Sequence, residues 1–198
     1  MKEIQQMITY FKEVYNSIEN DDIREFAETI AECIPNYFFQ IPASSTQKYH
    51  PTYACEVPLG LYKHTLAVVK FINYFFEVES LAEKWTSRER DLVRVAGMMH
   101  DTFKSGSQAD YEKNKYTKHE HPIIASNAIM KYKGCGIIPD DEILLIAKTI
   151  ETHMGAWNTS PRSDIVLATP KNKYQKLVHL ADYLASRKDI EIKFEELN

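Results

Sequence analysis

The sequence has few residues that break secondary structure. It contains six glycines and eight prolines among 198 residues, so long uninterrupted segments are expected and helices are favoured. No segment shows the sustained alternation of apolar and polar residues that is typical of half-buried strands. Apolar residues recur instead at helical spacing, and the sequence therefore predicts an all-α fold.

Cysteines and long apolar runs are also scarce. The three cysteines, Cys33, Cys55 and Cys135, form no CxxC pair, which is typical of proteins in a reducing compartment. No stretch approaches the roughly 18 apolar residues of a membrane span, and the first residues lack the apolar centre of a signal peptide. We therefore expect a cytoplasmic protein without a membrane partner.

Positive charge is in deficit, since 24 Lys and Arg residues face 28 Asp and Glu residues and the net charge is -4. Duplex nucleic acid is a poor partner for such a chain, because its binding depends on neutralising many phosphates. A nucleotide or a short single strand in a locally positive pocket remains compatible with this charge. The sequence is also compatible with a homo-oligomer.

Seven helical segments are predicted from apolar spacing and end signals. They cover about residues 3–18, 21–33, 59–78, 87–100, 122–134, 139–153 and 170–187. Ser87 is expected to cap the fourth of them. One structural domain is expected, in which N-terminal helices and a loop (1–58) pack on a core of residues 59–190.

Three further segments are predicted to be loops. Residues 40–58 carry three prolines and are expected to form an ordered loop over one face of the domain. Residues 106–118 are polar and are expected to form a mobile loop, and residues 155–169 are again loop. We expect long loops of this kind to frame a pocket.

Polar groups recur on the apolar faces of five predicted helices. One buried histidine is usually a core residue with a single hydrogen-bond partner, but five inward polar groups are hard to satisfy pairwise. A divalent transition metal is a shared partner that binds both imidazole and carboxylate. The five groups belong to His64, His100, His121, His153 and Asp182.

The dipeptide His100-Asp101 adds a second carboxylate. Neighbours on a helix point about 100° apart, so both can face one site only near a helix end. There the Asp101 carboxylate could bridge two metals while His100 binds one. Gly97 leaves room for a neighbouring helix or a ligand, and Lys104 can place a positive charge where a phosphoryl oxygen would lie.

Five short segments between about Leu59 and Arg187 resemble, in order, the motifs of the HD-domain metal-dependent phosphohydrolase superfamily. In the second, Thr102-Phe103 replaces the Ile-Gly that is common after His-Asp, which removes no ligand. The segments are Gly60–Leu66, Met99–Lys104, His121–Ala125, Glu151–Gly155 and Leu180–Ser186.

The resemblance implies a helical bundle of the HD-domain type with divalent metal ions, two rather than one, drawn from Mn, Fe, Ni, Co, Zn or Mg. It implies a bridging water that attacks phosphorus in line. Asp101 and Lys104 would be the catalytic residues. The first ion would be bound by His64, His100, Asp101 and Asp182, and the second by Asp101, His121 and His153.

Other residues are candidates for supporting roles, each with a plainer alternative. Lys48, His119, Trp157 and Arg162 are candidates for substrate contacts; the alternatives are a solvated lysine, a solvated histidine, core packing and a surface ion pair. His179 is expected to orient Asp182 or to pack. His50 is expected to be an ordinary loop residue.

Three functions compete. The leading prediction is a metal-dependent phosphohydrolase of a nucleotide or short oligonucleotide, which could be a monoesterase, a cyclic or dinucleotide phosphodiesterase, or an exonuclease. The alternatives are a nucleotide-sensing module without turnover and an HD-type di-iron oxygenase. Lys104 fits phosphate chemistry better than oxygenation.

Overall fold

The computed structural model describes residues 10–44, 48–190 and 192–194, and over these ranges the chain forms nine α-helices, two short 3-10 helices and no strand. The predicted all-α fold is confirmed. No described helix is long and apolar enough to cross a bilayer. The helices are α1 (Lys12–Ser17), α2 (Asp21–Ala31), α3 (Gly60–Glu77), α4 (Glu79–Ala82), α5 (Ser87–Met99), α6 (Gln108–Lys113), α7 (His121–Met130), α8 (Asp140–Ile150) and α9 (Lys173–Ala185).

Helix α3 lies at the centre of the bundle, where it packs against α5 and α9, while α8 packs against α5 and α7. Most apolar residues of α3 and all of those of α5 are buried. A Cβ atom at Gly97 would lie 2.6 Å from Ile72 Cδ1, so the glycine allows α3 and α5 to approach closely. This confirms that Gly97 makes room for a neighbouring helix.

The turn between α1 and α2 is fixed to the bundle by a buried carboxylate of α5. Asp91 Oδ2 accepts hydrogen bonds from the backbone N–H groups of Glu19 (3.0 Å) and Asn20 (2.8 Å). Its other oxygen accepts from Arg94 at 2.6 Å. These bonds attach the N-terminal helices to the core; the boundary between residues 58 and 59 stays a prediction.

Two loop predictions need correction. The segment 106–118 contains helix α6, because Ser107 and Asp110 form a capping box that starts a helix within the polar residues. The proline-rich segment 40–58 contains a 3-10 helix at Thr52–Cys55, and residues 45–47 lie outside the described residues.

Several predicted helix ends are also shifted. Thr86, not Ser87, is the N-cap of α5, since its hydroxyl accepts from the backbone of Glu89. Helices α5, α7 and α8 end one to four residues early and continue as turns, and α4 was not predicted. Residues 3–9 of the first predicted helix lie outside the described residues.

Candidate metal centre

The predicted ligands converge where several helices begin or end. His64 and Asp182 project from inside α3 and α9, whereas the other four lie at helix termini. All are buried except Asp182, which is partly exposed. The termini carry His100 and Asp101 after α5, His121 at the start of α7, and His153 in the turn after α8.

Asp101 lies in the middle of this cluster, and its two oxygens face different neighbours. Oδ1 lies 2.9 Å from His121 Nε2 and 3.4 Å from His153 Nε2. Oδ2 lies 2.6 Å from Lys104 Nζ, 3.8 Å from His100 Nε2 and 4.0 Å from His64 Nε2. One carboxylate therefore faces four imidazoles, with Oδ1 nearer His121 and His153 and Oδ2 nearer His64 and His100.

The pair formed by His64 and His100 has a second carboxylate beside it. Asp182 Oδ1 lies 3.0 Å from His64 Nε2 and 3.8 Å from His100 Nε2. Ligand atoms of His64, His100 and Asp101 lie within 4.8 Å of one another, and the same holds for Asp101, His121 and His153. The geometry thus offers two neighbouring groups of metal-binding atoms that share Asp101.

Three of the imidazoles are oriented by the backbone in the same way. The Nδ1 atoms of His100, His121 and His153 donate to carbonyl oxygens three residues earlier, at 2.7, 2.7 and 2.9 Å. A carbonyl can only accept, so each Nδ1 carries the proton. In the neutral ring each Nε2 then has a lone pair directed at the cluster, as a metal ligand requires. His121 Nε2 and His153 Nε2 lie 3.2 Å apart in a hydrogen bond, so without an ion one of these two atoms carries a proton that a metal would displace.

Two buried atoms at the centre of the cluster have no hydrogen-bond partner among the described residues. They are His100 Nε2 and Asp101 Oδ1. His121 Nε2 lies 2.9 Å from Oδ1, but no hydrogen bond joins the two atoms. A buried acceptor left unpaired costs about 1–3 kcal/mol, and a divalent cation would satisfy both atoms. The residues present therefore fit a metal ion.

The electrostatics favour the protonation states that bind metals. Burial lowers the pKa of His100 to about 4 and also lowers the pKa of His121. Burial opposes ionisation of Asp101, but the Lys104 ammonium and His100 hold its pKa well below the ordinary value. Burial likewise opposes charging of His153, yet contact with the Asp101 carboxylate raises its pKa. These shifts favour an ionised Asp101 carboxylate and neutral His100 and His121 at neutral pH.

Two supporting residues act on the backbone around the cluster. The Tyr37 hydroxyl accepts from Ser105 N (3.0 Å) and donates to Gly106 O (2.7 Å), which fixes the turn after Asp101. His179 Nδ1 donates to His153 O at 2.7 Å, so its hydrogen bond supports the His153 turn rather than the Asp182 carboxylate. This contact gives no support to the prediction that His179 orients Asp182.

Gly155 allows the His179 ring to lie against the turn that carries His153. It has a φ of +56°, which favours glycine, and a Cβ atom there would overlap the imidazole ring of His179. The turn after α8 can therefore close against α9 only with a glycine at this position.

Two clefts open beside the cluster. The first cleft, of about 480 Å³, is lined by His64, Lys104 and Asp182. The second cleft, of about 630 Å³, is lined by His121. Met154 and Trp157 line both clefts. The cluster is thus accessible from two directions.

The loop residue His50 also lines the first cleft, which the sequence did not reveal. Its ring centroid lies 5.6 Å from that of His64, and its Nδ1 is buried without a partner among the described residues. Burial lowers its pKa to about 4. His50 is therefore more than an ordinary loop residue, because it faces the metal-binding cluster.

The four candidate substrate residues occupy different places. Trp157 lines both clefts, and His119 and Arg162 line the second. His119 Nε2 also donates to Ile165 O at 3.0 Å. Lys48 lines neither cleft; it is exposed, with its ammonium 4.9 Å from the centroid of the Tyr49 ring.

The comparisons with known proteins agree with this geometry at the level of the family. A family model described as the HD domain matches residues 61–187, well over half of the chain, and this range includes all six predicted ligands. No match was found among curated proteins or among solved structures. The chain belongs to the HD domain family.

Proposed function

We propose that this protein is a metal-dependent phosphohydrolase that cleaves a phosphoester of a nucleotide or short oligonucleotide. The observation that carries the proposal is the position of the Asp101 carboxylate. It lies between two pairs of imidazoles and contacts the Lys104 ammonium. Such a group of acceptors beside a fixed cation suits a reaction in which a phosphoryl group carries negative charge.

The proposed ligands form two sets. His64, His100, Asp101 and Asp182 would hold one divalent ion, and Asp101, His121 and His153 would hold a second. The ion types compatible with these ligands include Mn, Fe, Ni, Co, Zn and Mg. When bound, divalent ions would lower the pKa of water and neutralise charge on the phosphoryl oxygens.

The chain itself would contribute orientation and charge. Hydrogen bonds from Nδ1 to the backbone hold three imidazoles with Nε2 toward the centre, so the ligands are arranged before any ion binds. Lys104 lines the first cleft and would place its ammonium beside the phosphoryl oxygens of a bound substrate.

An activity screen tests this proposal. Metal-free protein would be supplied with each candidate ion and assayed on p-nitrophenyl phosphate, bis(p-nitrophenyl) phosphate and a panel of nucleotides. We expect hydrolysis that Asp101→Ala abolishes and that Asp141→Ala, at an exposed acidic position of α8, leaves intact.

The contrary outcomes are distinct. Absence of hydrolysis with every ion would overturn the proposed activity, and tight nucleotide binding without product would indicate a sensing module. Full activity in the Asp101→Ala protein would refute the assignment of the centre to this cluster.

A further inference from the structure

The two clefts reach different halves of the proposed metal centre. The first cleft contacts His64 and Asp182, and the second contacts His121. Among the lining residues, Met154 and Trp157 alone are common to both. A phosphoester held at Asp101 would therefore have space for a substituent on each side.

The first cleft contains an arginine that no carboxylate neutralises within the described residues. The guanidinium carbon of Arg187 lies 4.4 Å from the ring centroid of Tyr183 and 5.8 Å from that of Tyr49. Its Nε is buried without a hydrogen-bond partner, while one terminal nitrogen donates to Ser186 Oγ at 3.1 Å. Aromatic faces thus hold this cation in place and leave its charge for an anionic ligand.

The second cleft has a matching cation. Arg162 is exposed on its wall and has no ion pair among the described residues. Lys118, by contrast, is paired with Asp110 at 2.8 Å. The carboxylate on this wall, Glu120, accepts a hydrogen bond from Ser163. Each cleft therefore has one arginine that is free to meet phosphate.

Exposed aromatic residues are concentrated at the same two clefts. Trp157 is 52% exposed and Tyr116 is 71% exposed, and both line the second cleft. Tyr49, Trp157 and Tyr183 line the first, where the rings of Trp157 and Tyr183 are nearly parallel with centroids 5.9 Å apart. Tyr74 is the one other large exposed aromatic residue in the described ranges. Stacking of a nucleobase on such a ring contributes about 1–3 kcal/mol.

We propose that the substrate is a linear phosphodiester with a nucleobase on each side of the scissile phosphate, as in a dinucleotide or a short single strand. This inference rests on the proposed phosphohydrolase function. Each cleft offers the same pair of features, an aromatic face for a base and an arginine for an adjoining phosphate or polar group. A monoester would leave one of these clefts empty.

The reaction consumes one water molecule. The water oxygen forms a bond to phosphorus, one ester P–O bond breaks, and the departing oxygen takes up a proton released by water. The products are a phosphomonoester and an alcohol. Each product lies in its own cleft, so either can leave without passing the other.

Substrates with one or two bases test the proposal. The wild-type protein, with the ion that supports bis(p-nitrophenyl) phosphate hydrolysis, would be assayed on a dinucleoside monophosphate, a nucleoside phosphate methyl ester and the mononucleotide. We expect kcat/KM for the two-base diester to exceed that for the one-base diester at least about fivefold, which corresponds to the lower end of the stacking contribution of one base.

Variants of the two arginines separate the clefts. Arg187→Gln and Arg162→Gln should each lower kcat/KM for the two-base diester about tenfold. On the one-base diester only one of the two substitutions should lower kcat/KM. The variant that keeps wild-type kcat/KM on this substrate thereby shows that its active site is intact. Lys133→Gln removes an exposed charge that lines neither cleft and should change neither reaction.

The outcomes are distinguishable. If diesters are hydrolysed but a second base gives no advantage, or if either arginine variant acts on the two-base diester like wild type, the two-cleft inference is overturned while the phosphohydrolase stands. Faster hydrolysis of the mononucleotide than of the dinucleoside monophosphate would likewise overturn the two-cleft inference and leave the phosphohydrolase proposal intact. If no phosphoester is hydrolysed with any ion, both proposals fail.

Discussion

The two oxygens of Asp101 have different surroundings, and the residues around each oxygen therefore have different expected roles. Oδ1 faces His121 and His153, whereas Oδ2 faces Lys104 at 2.6 Å. The ammonium is therefore outside the group of ligand atoms around Oδ1 but remains in contact with the same carboxylate. Removal of Lys104 should affect charge near the substrate more than it affects ion binding.

This distinction predicts the behaviour of Lys104→Gln. We expect kcat to fall about 100-fold, which is typical when one donor to a developing charge is lost, while the metal content stays unchanged. Steady-state kinetics and metal analysis would measure the two effects. Lys148→Gln is the control, because Lys148 also contacts a carboxylate three residues away, at 2.8 Å, but lies exposed on α8. A kcat within twofold of wild type would refute the role of Lys104.

A second residue-level prediction concerns His179, which supports the His153 turn through the backbone. His179→Phe should weaken binding of the second ion about tenfold, as is typical when a group that orients a ligand is lost. His179→Asn can place an N–H near the position of Nδ1 and should recover most of the affinity. Titration with Mn²⁺ would compare the variants; equal affinity in the His179→Phe protein would show that this hydrogen bond has no such role.

The ligands could be predicted from sequence because they follow helical spacing and fall in short motifs. His50 and Tyr37 could not be predicted. His50 lies in an irregular segment and Tyr37 in a short 3-10 helix (Asn36–Phe39), and only tertiary packing brings them to the cluster. Tyr37 reaches Ser105 and Gly106 across almost seventy residues of sequence. The charge of Lys48 makes it a candidate for contact with substrate phosphate, but the exposed residue lines neither cleft.

At the level of the elements, Glu89 connects the helix that precedes His100 with the helix that carries Asp182. It belongs to the capping box of α5 and contacts Lys173, at 2.7 Å, and Tyr174 of α9. Burial opposes its ionisation, but these two partners lower its pKa from 4.5 to about 2. The carboxylate therefore stabilises the fold above pH 4.5, and this contribution is lost as the pH falls toward 2.

Glu89→Gln should lower the free energy of unfolding by about 1 kcal/mol at pH 7, a figure reduced for solvent screening. The difference from wild type should shrink between pH 4.5 and pH 2. Urea unfolding at several pH values would measure it, with the exposed Glu83→Gln as the control. A difference that is independent of pH would argue against the ionic contact.

The helix termini show why element boundaries were harder to predict than the elements. Apolar spacing continues past the last helical residue of α8, because the turn that follows also packs against the core. His153 lies in that turn, and its Nδ1 donates to the carbonyl of Ile150, the last residue of the helix, which also accepts the backbone N–H of His153. The sequence pattern could not separate a histidine inside a helix from one in the turn beyond it.

For the whole molecule, the buried Asp91 predicts that the N-terminal helices and the core unfold together. Asp91→Ala would leave Arg94 buried without its 2.6 Å partner and free two backbone N–H groups. We expect a loss of about 3–5 kcal/mol with a single urea transition. The control is Asp21→Ala, because Asp21 is 92% exposed and its pair with Arg24 contributes little. Two separate transitions in the wild-type protein would contradict this coupling.

The central claim is that Asp101 is shared by two groups of metal-binding side chains. Calorimetric titration of metal-free protein with Mn²⁺ tests it most directly. We expect wild type to bind two ions per chain and Asp101→Ala to weaken both binding events. Absence of binding in the wild type, or two ions bound with unchanged affinity in the Asp101→Ala protein, would contradict the claim.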